Sequence, residues 1–239
     1  MRILICNDDG IFSPGLTALA EVAGQFGEVV IFAPDFEQSA VGHAITINRP
    51  LQYHPVKMMK GFDAYRVNGT PADCVALGLY HLGSVDLVLS GINLGSNLGS
   101  DIWHSGTVAA AKQGLIFGVQ SIAFSQVLNG EEPTYEKQKP FIAEVIKLLT
   151  TGDQPRLVNV NLPENPVGLQ WTHQSVRHYN GRVVEGEDPN GHKHYWFAAT
   201  PLTNPDENSD RWAIDHNLVS LTPIRMSLTD DEWLHRLRK

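Results

Sequence analysis

Asp8 and Asp9 stand side by side, directly after the apolar run Ile3-Leu4-Ile5-Cys6 and directly before Gly10. On a continuing strand, neighbouring side chains point to opposite faces and cannot share one ligand. In a turn after a strand they can converge, and Gly10 favours a turn. Oxygen donors that converge in an open, partly hydrated site suit one divalent cation, Mg2+ or Mn2+. The same stretch also reads as a solvated Asx turn before the next helix. Asn7 is either an orienting group or a turn former.

A second group lies in Ser90-Gly91-Ile92-Asn93-Leu94-Gly95-Ser96-Asn97-Leu98-Gly99-Ser100-Asp101, where glycine recurs every fourth residue and asparagine is interleaved. The glycines permit close backbone approach to a ligand. His104-Ser105-Gly106-Thr107 then opens an alanine-rich helix, whose first N–H groups and positive dipole end suit an anion, most naturally phosphate. The alternative is a glycine-rich surface loop with an ordinary Ser/Thr cap. The lysine and spacing of a P-loop are missing, and no G-x-G-x-x-G occupies the first strand-to-helix turn. His104 reads either as a general acid or base or as a structural residue at a helix start. Ser39, in a polar loop, reads on spacing as a cap or turn residue. Its interest is that its strand would neighbour the first. Together these groups could surround one pocket holding a phosphate monoester against a metal. No serine or cysteine has an evident base partner in sequence. Attack by metal-activated water is therefore expected, rather than a covalent intermediate.

The elements that would position these groups follow a β-α-β rhythm. Residues 2–7 and 28–33 read as buried strands around a helix over 14–23, with Pro14 in its first turn. Two such steps in so short a span indicate a parallel sheet with crossover helices. Residues 45–47 and 51–53 are expected as a short hairpin arm, and 63–67 as a strand. Thr70 and Asp73 form a capping box for a helix over 71–82. Further strands are expected at 85–89, 119–124, 156–162 and 217–224, with helices from 105 to about 118 and over 135–149. Turns are expected at Asn180-Gly181 and at Pro189-Asn190-Gly191 in a hairpin-rich region over 171–200. Residues 201–211 read as polar and mobile. A capping box starting at Thr229 would precede a C-terminal helix over 233–239. The fold class is thus α/β: a Rossmann-like three-layer αβα sandwich with a mainly parallel sheet and a C-terminal hairpin and helix extension. The expected division is a core over 1–165 and an extension over 166–239.

The chain has 239 residues, 42% hydrophobic and 18% charged, enough to bury a substantial core without disulfides. A net charge of −8 opposes binding to a nucleic-acid polymer, which needs a Lys/Arg surface, but leaves room for a small phosphorylated substrate beside a cation. Cys6 and Cys74 lack metal-ligand spacing and read as core thiols. No leader-like segment and no apolar run of about 18 residues is present, so no membrane association is expected and a reducing cytoplasm is the default.

These residues also resemble the SurE family of survival-protein nucleotidases. The resemblance rests on Asn7-Asp8-Asp9-Gly10, Ala33-Pro34-Asp35, Gln38-Ser39-Ala40, Gly69-Thr70-Pro71-Ala72-Asp73-Cys74, Ser90-Gly91-Ile92-Asn93 with Gly95, Asn97 and Gly99, and Ser105-Gly106-Thr107, in the family's order over residues 1–125. The C-terminal third matches by general layout. The resemblance implies a metal-dependent 5′(3′)-nucleotidase that hydrolyses nucleoside monophosphates, with one divalent ion per subunit held by Asp8, Asp9, Ser39 and Asn93. It implies phosphate contacts at Asn97, Ser105, Gly106 and Thr107. It also implies a homodimer or homotetramer with C-terminal elements exchanged between subunits. The competing readings are a broad phosphomonoesterase or short-chain exopolyphosphatase, and a non-catalytic nucleotide sensor.

Overall fold

The structure is a computed structural model; it describes all residues except 58–60, 129–133, 176–178, 202–204 and 239. Six strands form its parallel centre: β1 (Arg2–Cys6), β2 (Glu28–Pro34), β4 (Asp63–Val67), β5 (Leu87–Leu94), β6 (Gln120–Gln126) and β7 (Leu157–Leu162). With β3 (Tyr53–Val56), β8 (Gly168–Trp171) and β11 (Leu218–Pro223) they make one nine-stranded sheet in the order β3-β4-β2-β1-β5-β6-β7-β11-β8. Only the β3–β4 and β7–β11 pairs are antiparallel.

Strand β1 shows why the sheet lies inside. Ile3 and Ile5 face one cluster, with α1 (Pro14–Ala23) and α4 (Lys139–Leu149); Leu4 and Cys6 face the other, against α2 (Pro71–Leu82) and α3 (Gly106–Ile116). A strand buried on both faces needs apolar residues at every position, and β1 has them. The result is the expected three-layer α/β sandwich.

Strand order reverses on the two sides of β1. The chain runs outward through β2 and β4, then returns to place β5 against β1's free edge. Ligands in open α/β sheets bind outside the carboxyl ends at such a reversal. Asp8 and Asp9 follow β1, and Asn93 lies in the last turn of the β5 ladder.

Several expectations change. Residues 45–52 are irregular; no hairpin forms there, and Tyr53 instead starts β3, paired with β4. Thr46 is held by Asp73, which accepts from its backbone N–H at 3.0 Å and from its hydroxyl at 2.6 Å. That side-chain anchor competes with strand pairing. Asp73 also completes the expected capping box with Thr70. Strand β5 runs on through Asn93, where a loop was expected, because a register shift between Ser90 and Asn93 lets pairing with β6 resume. The helix expected from residue 135 begins only at Lys139, with Pro140 in the first turn, where its missing N–H costs nothing.

In the C-terminal region, β9 (Tyr179–Glu187) and β10 (Lys193–Pro201) form a separate two-stranded hairpin. Asn180-Gly181 lies inside β9, not at a turn; the reversal occurs at Pro189-Asn190-Gly191, with Gly191 at φ 83°. The segment expected to be polar and mobile ends in a helix, α5 (Asp210–Asp215), which starts from buried Ser209 and Asp210. The last helix, α6 (Asp231–Leu237), is capped by Asp230 rather than Thr229.

Candidate metal and phosphate site

Asp8, two residues past the end of β1, is almost fully buried, at 4% exposure. Its Oδ1 accepts a hydrogen bond from the Thr107 hydroxyl on α3, and its backbone carbonyl accepts from Gln38 N at 2.7 Å. The backbone N–H groups of Gly106 and Thr107 also bear on the carboxylate. Burial pushes the Asp8 pKa above the ordinary carboxylate value, and these donors pull it partly back. Gly106 is required here: a Cβ at that position would lie 2.8 Å from Asp8 Cβ and 2.9 Å from Asp8 Oδ2. The N-terminus of α3, read in the sequence as a phosphate cradle, is therefore turned in large part onto Asp8.

Asp9 is half-buried, and its Oδ2 accepts from Leu94 N at 3.1 Å. Its pKa is raised to about 6 by burial first, then by the neighbouring Asp8 charge and, more weakly, by Glu37. The strand register brings this about, since Ile5 and Cys6 pair with Leu89 and Ser90 on β5. The β5 register shift then carries Asn93 and Leu94 past the end of β1, beside the aspartates.

Asn93 donates from Nδ2 to Gly95 O at 2.7 Å, and among the described residues its amide oxygen has no hydrogen-bond donor. Gly95 accommodates this tight return at φ 117°. Ser39, exposed in the loop after β2, donates to Glu37 Oε1. It lines a cavity of about 470 Å³ with Asp9, Glu37, Ser13, Leu94 and Tyr135. Tyr135 is 7% exposed, and its pKa is pushed up to about 12 by burial and by the Asp9 charge. Asp9 and Ser39 thus meet at one cavity, and Asn93 stands on the strand that binds Asp9.

The remaining site residues are placed differently. Asn97 turns inward: its Nδ2 donates to Ser125 Oγ at 2.8 Å, its N–H donates to Asn161 Oδ1 at 2.8 Å, and its carbonyl accepts from Asn159 and Asn161. Ser105 caps α3 by accepting from Val108 N. His104 is exposed, and its carbonyl accepts from Gly42 N at 2.8 Å. The sequence reading missed Glu37, Tyr135 and the Asn159–Asn161 pair. The pair did leave a signal, since asparagine at alternate positions of an otherwise apolar buried strand is a poor core choice. Tyr135 left none.

The donor set fits a hard divalent cation. It comprises two carboxylates, the Ser39 hydroxyl and the Asn93 amide oxygen, all oxygen. Among the described residues no group of three or more His, Cys, Asp or Glu forms a softer cluster. No ion pair engages Asp8 or Asp9 among those described, so two neighbouring acids, each raising the cost of charge on this edge, lack a cationic side chain. Thr107→Val, which removes only the hydroxyl donor to Asp8, should destabilise the metal-free protein by about 2 kcal/mol in urea denaturation, as for other hydrogen bonds to charged groups. Thr107→Ser should restore most of it.

A mainly parallel, doubly wound sheet with oxygen donors gathered at its reversal point defines a Rossmann-like α/β protein with a candidate cation site. The comparisons with known proteins narrow that class. A family model described as Survival protein SurE matches residues 3–181, and the chain belongs to this family. It is 47% identical to 5′-nucleotidase SurE 1 of Thermus thermophilus, over 99% of this chain and 96% of that one. It is 45% identical to 5′-nucleotidase SurE of Deinococcus radiodurans, over 99% and 91%. The crystal structure of the SurE protein from Aquifex aeolicus matches with TM-score 0.87 at 38% identity, covering 100% of this chain and 98% of that one.

Proposed function

We propose that this protein is a 5′-nucleotidase, a phosphoric monoester hydrolase that releases phosphate from nucleoside monophosphates with one divalent ion per subunit, Mg2+ or Mn2+. The observation that carries the reading is the gathering of Asp8, Asp9 and Asn93 where β1 and β5 meet, with Asp9 opening on the Ser39 cavity. Relatives named 5′-nucleotidase SurE support the substrate class.

In this reading Asp8, Asp9, Ser39 and Asn93 hold the ion. Bound there, it would supply Lewis-acid stabilisation of phosphoryl charge and an acidified water as nucleophile. The protein's own contributions are positional. Thr107 and the α3 N-terminus fix the Asp8 carboxylate, while Leu94 N–H fixes Asp9. The Gly95 carbonyl orients the Asn93 amide, so that its oxygen is offered to the ion. The phosphate contacts proposed at Asn97, Ser105, Gly106 and Thr107 would require these groups, turned here onto Ser125, Asn161, Val108 and Asp8, to exchange those partners for the ligand. His104, exposed just before that helix, is the proposed proton donor to the leaving oxygen.

We assign residues 1–165 to the catalytic core and 166–239 to an extension used in assembly as a homodimer or homotetramer. The support is the β9–β10 hairpin, which among the described residues pairs with no other strand and exposes Val183, Tyr195, Trp196 and Phe197, the last at 90%. The proposed compartment is the cytoplasm, where the buried free thiols of Cys6 and Cys74 would stay reduced. Among the described residues no helix is long and apolar enough to cross a membrane.

A panel of phosphomonoesters tests the reading. Phosphate release from AMP and other mononucleotides should require Mn2+ or Mg2+, stop with excess EDTA, and exceed release from sugar phosphates and polyphosphate in kcat/KM. Equal kcat/KM across the panel would favour the broad phosphatase. AMP binding without turnover under every metal would favour the sensor.

A further inference from the structure

Asp210 lies far from the glycine-rich loop in sequence and is hydrogen-bonded to it in space. It begins α5 and is fully buried, at 0% exposure. Its Oδ2 accepts from Gly99 N at 2.8 Å, across 111 residues of sequence. Its Oδ1 accepts from Ser175 N at 3.1 Å, from the Ser175 hydroxyl, and from Arg211 N at 2.8 Å. Gln174 holds the following peptide of the same residue, donating from Nε2 to Gly99 O at 2.6 Å. Gly99 is buried with φ at 49°, a backbone shape that a side chain would strain.

These partners belong to the two roots of the β9–β10 hairpin. Residues 173–175 lead towards β9 and residues 208–211 follow β10, and they are stitched together by Asp210 N to His173 O at 2.9 Å and His173 N to Asn208 O at 3.1 Å. A buried carboxylate satisfied only by donors is costly to place, and its donors converge from three separate stretches of chain. Ser209, whose hydroxyl accepts from Trp212 N, already caps α5, so the helix start does not need the Asp210 carboxylate. Instead one of its oxygens is spent on the glycine-rich loop, between Asn97 and the 3-10 turn over Gly99–Trp103 that leads into the Ser105 cap.

We infer that Asp210 is a positioning residue for the reaction: from the base of the C-terminal hairpin it fixes the backbone of the glycine-rich loop at Gly99, between Asn97 and the Ser105 cap. This rests on the phosphate reading of that loop. Asp210→Asn isolates the contact. Three donors converge on the Oδ1 side, so the amide oxygen stays there and the amide NH2 faces the Gly99 N–H, donor against donor. Ser175→Ala is the control, because it removes a partner of the same carboxylate and keeps the Gly99 bond.

The experiment measures KM for AMP, Ki for inorganic phosphate, Mn2+ affinity by calorimetry, and hydrogen exchange over residues 95–104 in the full-length protein. Asp210→Asn should raise KM and Ki on the order of tenfold, the scale of one lost hydrogen bond to a charged group. It should speed exchange over 95–104, lower kcat less than it raises KM, and leave Mn2+ affinity unchanged. Ser175→Ala should leave Ki unchanged. Unchanged KM, Ki and exchange in Asp210→Asn overturn the inference, as does a parallel loss of Mn2+ affinity, which marks general damage. Failure of phosphate to inhibit the unmodified protein sinks the phosphate reading itself, whereas normal inhibition of both proteins sinks only the positioning role.

Discussion

Asp9→Asn should reduce phosphate release from AMP about a thousandfold at saturating Mn2+, the equivalent of several kcal/mol of lost charge stabilisation. The fold should survive, because asparagine still offers an oxygen to Leu94 N–H, the contact that Asp9 makes now at 3.1 Å. Calorimetry should show Mn2+ affinity falling with activity. Near-normal turnover of Asp9→Asn with EDTA present would sink the metal site.

The same substitution should have the opposite effect on stability when no metal is bound. The Asp9 pKa is raised to about 6, from 3.8. Between those values the folded protein binds more protons than the unfolded chain, so this group's contribution is present below pH 3.8 and is lost as pH rises through about 6. The shift corresponds to about 3 kcal/mol, or about 2 kcal/mol after solvent screening of a half-buried group. In EDTA, the unmodified protein should therefore lose stability relative to Asp9→Asn as pH rises from 4 to 7. Urea titrations of both proteins across that range measure the difference. Mn2+ should reverse the sign at pH 7, since the ion binds only the folded carboxylates.

Much of this was legible in the residues because the physics is local. The Ile3-Leu4-Ile5-Cys6 run has no polar face, so it needed helices on both sides, and α1 to α4 supply them. Thr70-Pro71-Ala72-Asp73 specified its own helix start. The aspartate pair was visible as chemistry but not as a site, since its partners arrive from other strands. Ser39 lies in an exposed loop that spacing alone cannot place, and it entered only through the family's motif. Asn97 shows the reverse case: its place in the glycine-rich pattern was plain, but its side chain is drawn inward by Ser125 and its backbone by Asn159 and Asn161. The failed hairpin over 45–53 has a similar cause. Alternating apolar residues suggested strands, and one carboxylate, Asp73, held Thr46 out of any ladder. Contacts such as Asp210 to Gly99 follow from tertiary assembly and leave no local trace.

Gly106→Ala should remove both activity and Mn2+ affinity, while a matched change about two turns further along α3 should remove neither. The new methyl carbon would stand 2.8 Å from Asp8 Cβ, 2.9 Å from Asp8 Oδ2 and 3.1 Å from Pro71 Cγ. Asp8 is buried and held by Gln38 N–H on its carbonyl and by Thr107 on its carboxylate, so it cannot retreat as an exposed side chain would. Either α3 lifts away or the carboxylate turns out of the ligand set, and both break the bond from Thr107. Overpacking of this kind costs about 1–3 kcal/mol in stability. Gly114, later in α3, is at least as crowded: a Cβ there would lie 2.4 Å from Ser121 Oγ and 2.9 Å from Val88 Cγ2. Gly114→Ala should thus cost comparable stability in urea yet leave Mn2+ affinity and KM near normal, because β6 and the middle of β5 carry no ligand. If both variants lose Mn2+ affinity in proportion to stability, the role of Gly106 is packing alone. If only Gly106→Ala loses it, the glycine is present because Asp8 must lie against the start of the helix to serve as a ligand.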